Sequence, residues 1–141
     1  MTALSVCLIC VFVQVGLTFW AIVAMGLSRF EDLKSGSVRI ADIALDTSAY
    51  RDHTRQMQRN AHNQLETPVL FYAAIALGAA TGAVNWLMAS ASVVYVALRL
   101  VHRRVHVTTN HVPTRFKLFL ASLVALSVIW IAFGIDLLMG A

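Results

Sequence analysis

Residues 59–68 read Arg-Asn-Ala-His-Asn-Gln-Leu-Glu-Thr-Pro, and from Thr67 onward the chain carries no charge until Arg99. On a helix, Arg59, His62, Asn63 and Glu66 stand at i, i+3, i+4 and i+7, which puts all four in one stripe. The stripe therefore lies where an apolar helix leaves a bilayer. A second stripe of the same spacing, Arg99, His102, Arg103 and His106, closes the other end of the apolar stretch. Two polar stripes at one membrane depth predict a binding site for a polar ligand.

Working outward, residues 1–28 are charge-free, and so are the 18 residues from Leu118 to Ile135. A hydrocarbon core of ~30 Å takes about 20 helical residues, so each run makes one span. The 67–98 run is too long for one, and Thr81-Gly82-Ala83-Val84-Asn85 interrupts it with turn chemistry. Trp86 beside that turn suits the interfacial aromatic belt. With 59% hydrophobic and 13% charged residues in 141, the chain reads as a single domain, 1–141, of the all-α class. The expected architecture is an integral membrane four-helix bundle, with helices over about 3–28, 57–82, 86–107 and 113–139 and one long connection, 29–56. Lipid satisfies no backbone group, which leaves a helix bundle as the workable design.

All eleven Lys and Arg fall between Arg29 and Arg59 or between Arg99 and Lys117. In a four-helix chain these stretches lie on one side, which the positive-inside rule makes cytoplasmic, with both termini facing away. The first run lacks a basic n-region and exceeds the usual apolar core of a signal peptide, so it is expected to remain as a span. The basic face suits anionic headgroups. No aromatic-interleaved basic module is present, which argues against nucleic acid as a partner. Cys7 and Cys10 form a Cys-x-x-Cys inside an apolar helix, where cysteine packs as a small hydrophobe.

The 29–56 connection breaks at Ser35-Gly36-Ser37, continues through a mildly apolar piece from Val38 to Leu45, and offers Asp46-Thr47-Ser48 as a helix start. It either covers a site on the cytoplasmic face or lies at the interface, with Ile40, Ile43 and Leu45 dipping into headgroups. Pro68 should bend the second helix near Asn63–Glu66 by removing a bond to the Gln64 carbonyl. Pro113 suits the first turn of the last helix, and Arg115 then points out at the depth of the two stripes. Glu66 is the only acid in the stripes. It either bridges Arg59 and Arg99 internally or leaves an excess of cations for an anionic ligand. Arginine binds carboxylate in a planar two-point mode, and Glu66 and Asn63 suit an ammonium and an amide.

Arg59-x-x-x-Asn63-x-x-Glu66 followed by Pro68-x-x-Phe71 resembles the signature of the MAPEG family, membrane-associated proteins of eicosanoid and glutathione metabolism. A second block agrees: Ala97-Leu98-Arg99-Leu100-Val101-His102, then Asn110-His111-Val112-Pro113-Thr114-Arg115. Asn-Gln-Leu-Glu-Thr-Pro-Val-Leu-Phe-Tyr is similar to the small bacterial branch, which would place the chain in a bacterial inner membrane. The resemblance implies a homotrimer that binds glutathione through Arg59, Asn63 and Glu66, helped by Arg99 and His102; His62 and His106, on the same two stripes, complete the expected glutathione-binding set. It also implies that Arg115 holds the glutathione sulfur as thiolate, while a lipophilic substrate arrives from the surrounding lipid. His106 stands where the eicosanoid enzymes have a tyrosine, and Phe116 where the prostaglandin-forming member has a serine; both argue against eicosanoid synthesis. The function so implied is that of a glutathione-dependent transferase or peroxidase. Its rival is a non-catalytic lipid-binding or scaffold protein of the same fold. A zinc ion on His102, His106 and Glu66 is a further alternative. No metal is expected on the reading preferred.

Overall fold

The computed structural model describes residues 1–44 and 46–139. Leu45, one of the three residues expected to dip toward headgroups, lies outside them. Five α-helices follow one another: α1 (Ala3–Lys34), α2 (Asp52–Asn63), α3 (Thr67–Thr81), α4 (Trp86–Val107) and α5 (Val112–Met139). A short 3-10 turn, Ile40–Ile43, interrupts the connection between α1 and α2. Separated only by residues 64–66 and both packed on α1, α2 and α3 together take the place of one broken column in a bundle of four.

Local chemistry explains the ends. Thr2 caps α1 by accepting from the Ser5 N–H at 3.1 Å, and Asn85 caps α4 by accepting from Met88 N–H at 2.9 Å. Gly82 ends α3 in the left-handed region, φ +72°, and Ala83 N–H returns to the Gly78 carbonyl at 2.9 Å. That closes the hairpin into α4 at the turn expected from residues 81–85. With 32 and 28 residues, α1 and α5 are long and apolar enough to cross a membrane. At ~1.5 Å per residue both exceed a ~30 Å hydrocarbon core.

Two expectations need correction. The stretch read as one helix over 57–82 begins earlier, at Asp52, and breaks between Asn63 and Thr67. Gln64 and Leu65 tighten into i−3 bonds to Ala61 and His62, at 3.0 and 2.9 Å, and Glu66 then leaves helical geometry. Pro68, lacking an N–H, restarts the chain in the first turn of α3, where proline is tolerated. Asp46-Thr47-Ser48 starts no helix; the Asp46 carboxylate accepts from the Ser48 N–H at 2.8 Å, forming an isolated turn.

The start of α2 is held by α1 instead. Asp32, fully buried past the charge-free run, accepts from the Arg51 backbone N–H at 3.2 Å and from its guanidinium. It caps α2 from another element. Burial raises the Asp32 pKa, but the Thr54 hydroxyl, the Arg51 hydrogen bonds and the Arg51 charge more than offset this, leaving it below the usual carboxylate range.

The core joins all four columns, with Cys7 and Cys10 of α1, Phe71 and Ile75 of α3, Met88 and Tyr95 of α4, and Ile129 of α5. Phe71 stacks on Tyr95 with ring centroids 4.9 Å apart. A Cβ added at Gly78 would stand 3.1 Å from both Met88 Cε and Val84 Cγ2, so a side chain there would need these two to shift. Large apolar side chains also point outward, among them Phe12, Phe19 and Trp20 on α1 and Val124 and Ile131 on α5. An apolar exterior over an apolar core is what a lipid solvent favours.

Candidate functional site at the basic end of the bundle

α4 carries Arg99, His102, Arg103 and His106 on its inner face, and all four are buried. Arg99 is fully enclosed. It donates to Asn63 Oδ1 at 2.9 Å, to the Asn63 carbonyl at 2.6 Å and to Gln64 Oε1 at 3.2 Å. The helix break supplies this set, since leaving the helix at Asn63 frees its carbonyl. Arg103 donates to Asn60 of α2 and lies over the Trp20 ring, 4.3 Å from its centroid. The His102 and His106 rings meet edge to face at 5.6 Å, with Phe119 of α5 near His102 at 6.2 Å.

The first stripe comes apart. Arg59 and His62 are exposed on α2, Asn63 is half-buried, and Glu66 lies beyond the end of the helix. The Glu66 bridge to Arg59 and Arg99 is absent among the described residues; Glu66 accepts from Asn63 Nδ2 at 3.3 Å. The break that frees the Asn63 carbonyl also swings Glu66 off the α2 face. The Nη groups of Arg99 are therefore met by neutral amides and a carbonyl, not by an ion pair, while its Nε is buried without a partner among the described residues. Nor do His102, His106 and Glu66 gather, and no group of three or more such side chains able to hold a metal occurs among the described residues.

Asn63, His102 and Arg115 meet at a hollow of about 200 Å³, whose remaining walls are Val112, Phe116 and Phe119. Asn110, in the left-handed region at φ +49°, accepts from Arg115 and so steadies the guanidinium beside the hollow. A second hollow of about 250 Å³ lies on the α2 side, lined by Asp52, Arg55, Gln56, Arg59, His106 and Asn110. The two hollows together border on Arg59, Asn63, His102, His106 and Arg115, while Arg99 sits behind Asn63 and His62 and Glu66 stand outside. The arrangement offers guanidinium, imidazole and amide groups to an anionic ligand, beside aromatic walls that suit an apolar one.

Sequence reasoning missed Gln14, Asn60, Gln64 and Asn110. Gln14 of α1 is fully buried and donates to Gln64 Oε1 at 3.1 Å. A signal was present: Gln14 is the one amide in the charge-free 1–28 run.

Fold and site together define a helical membrane protein with a polar pocket at its basic end. The sequence model of the MAPEG family matches residues 7–135, nearly the whole chain, and the protein belongs to that family. No curated protein and no solved structure matches it significantly.

Proposed function

We propose that the protein binds glutathione at this pocket and acts as a glutathione-dependent transferase or peroxidase on lipophilic electrophiles. The observation that carries the reading is the hollow bounded by Asn63, His102, Arg115 and Phe119. Glutathione brings two carboxylates, an ammonium, two amides and a thiol. Arg59 suits a carboxylate, Asn63 an amide, and exposed Glu66 the ammonium. The guanidinium of Arg115 favours an ionised sulfur over a neutral thiol, which raises the nucleophile's population at neutral pH. Phe116 and Phe119 give the electrophile an apolar approach from the lipid side. The aromatic walls also favour a reactive pocket over a headgroup cradle, which needs only charge.

The proposal includes a homotrimer whose subunits each cross the membrane four times, with both termini on the non-cytoplasmic side and the basic end in the cytoplasm. Titration calorimetry of glutathione into detergent-solubilised protein tests the ligand. Saturable binding is expected. Absence of binding, alongside binding to anionic vesicles, would favour a lipid-binding or scaffold role for the same fold.

A further inference from the structure

We infer that Gln14 and Gln64 are positioning residues, which act through Arg99 to fix how Asn63 faces the pocket. The inference rests on the glutathione reading for its ligand, and on the hydrogen bonds for everything else. A chain of side-chain bonds runs from mid-α1 to the pocket. Gln14 Nε2 and Arg99 Nη2 both donate to Gln64 Oε1, at 3.1 and 3.2 Å. Arg99 Nη1 donates to Asn63 Oδ1 at 2.9 Å, and Asn63 Nδ2 donates to Glu66 at 3.3 Å. Three separate elements meet in it: α1, the α2–α3 break and α4.

The direction of each bond follows from Arg99, which only donates. An oxygen must face it from Gln64 and another from Asn63. Rotating either amide would set N–H against N–H. Asn63 is therefore held with its oxygen inward and its NH2 group outward, and a cation on the oxygen strengthens the amide as a donor. With one NH2 hydrogen on Glu66, Asn63 keeps the other for the pocket, matched to a carboxylate or peptide carbonyl of the ligand.

The amide pair is poorly explained by packing alone. Gln14 Oε1 and Gln64 Nε2 are buried without a partner among the described residues. The opposite orientation of both amides would orphan two other atoms. A leucine at position 14 would leave no such atom in α1 and would suit its apolar surroundings. Two amides kept in that setting point to a polar task, here a second acceptor bond that steadies Gln64 against Arg99.

The test compares Gln14→Leu with Thr18→Val, which keeps the Gln14 side chain and removes other α1 ties, the Thr18 hydroxyl's bond to the Gln14 carbonyl at 3.0 Å and its contact with Tyr72 Oη at 3.4 Å. Without any ligand, backbone hydrogen exchange at Gln64–Glu66 should rise in Gln14→Leu and stay unchanged in Thr18→Val. Glutathione affinity should fall about tenfold in Gln14→Leu. In an Asn63→Ala background the same change should cost little more, because its effect passes through Asn63. Should Gln14→Leu not fold, Gln14→Met supplies the same comparison. Unchanged exchange at 64–66, or full additivity with Asn63→Ala, overturns the inference. Raised exchange in a protein that binds no glutathione supports the positioning role and overturns the ligand instead.

Discussion

Arg115 and Arg99 are two arginines with different duties. Arg99 is enclosed and directs its Nη donors to Asn63 and Gln64, whereas Arg115 is half-buried, borders the hollow and is held by Asn110. Arg115→Ala should leave the protein folded and still able to bind glutathione, while conjugation to chlorodinitrobenzene falls. A loss of ~10²-fold would correspond to ~2.7 kcal/mol of transition-state stabilisation. Full activity in that variant would remove the thiolate role. Asp32 belongs to stability rather than chemistry. Its folded-state pKa is lowered, so its contribution is fully present above the unfolded value of ~3.9 and is lost as pH falls through the folded one. Asp32→Asn should therefore lower thermal stability at neutral pH, by ~1–3 kcal/mol, and flatten the acid limb of a stability profile. An unchanged midpoint at pH 7 would show that the clasp to Arg51 carries no weight.

At the scale of elements, the turn between α3 and α4 makes a local prediction. Gly82 sits at φ +72° with open space around the position of a Cβ, so the cost of a side chain there is conformational and not steric. Gly82→Ala should destabilise by ~1 kcal/mol, read as a lower midpoint in detergent. This turn was legible in the sequence because glycine and asparagine each state a backbone requirement. The basic inner face of α4 was legible too, from its i, i+3, i+4, i+7 spacing. The break at Gln64–Glu66 was only half legible. Pro68 announces a distortion, but whether a helix bends or stops depends on what receives its freed carbonyls, and here the receiver is Arg99, 36 positions along the chain from Asn63. Charge-free runs likewise gave the apolar part of α1 but not its end at Lys34, since Arg29 to Lys34 remain helical outside the apolar layer. The buried amides escaped notice because a single glutamine in an apolar run has no periodicity to mark it.

At the scale of the molecule, the outward apolar faces and the one-sided charge lead to two measurements. Cross-linking in native membranes should stop at three subunits, and a ladder ending at one or two would remove the proposed homotrimer. A reporter fused after residue 141 should read as non-cytoplasmic, because all Lys and Arg lie in two stretches assigned to the opposite side. A cytoplasmic reading would turn the pocket away from cytoplasmic glutathione.

The neutral bonding of Arg99 also bears on how the protein is made. An arginine at the centre of a membrane helix costs ~2.5–3.5 kcal/mol on insertion scales, and α4 buries two arginines, Arg99 and Arg103, toward its C-terminal end. The groups that receive these two cations, Asn60, Asn63 and Gln64, lie on the column that precedes α4, and Gln14 behind them lies earlier still. The ribosome thus delivers every acceptor before the arginines that need them. In the proposed bilayer arrangement, α4 enters a membrane where its partners already wait, and N-to-C synthesis itself becomes the chaperone for its charge.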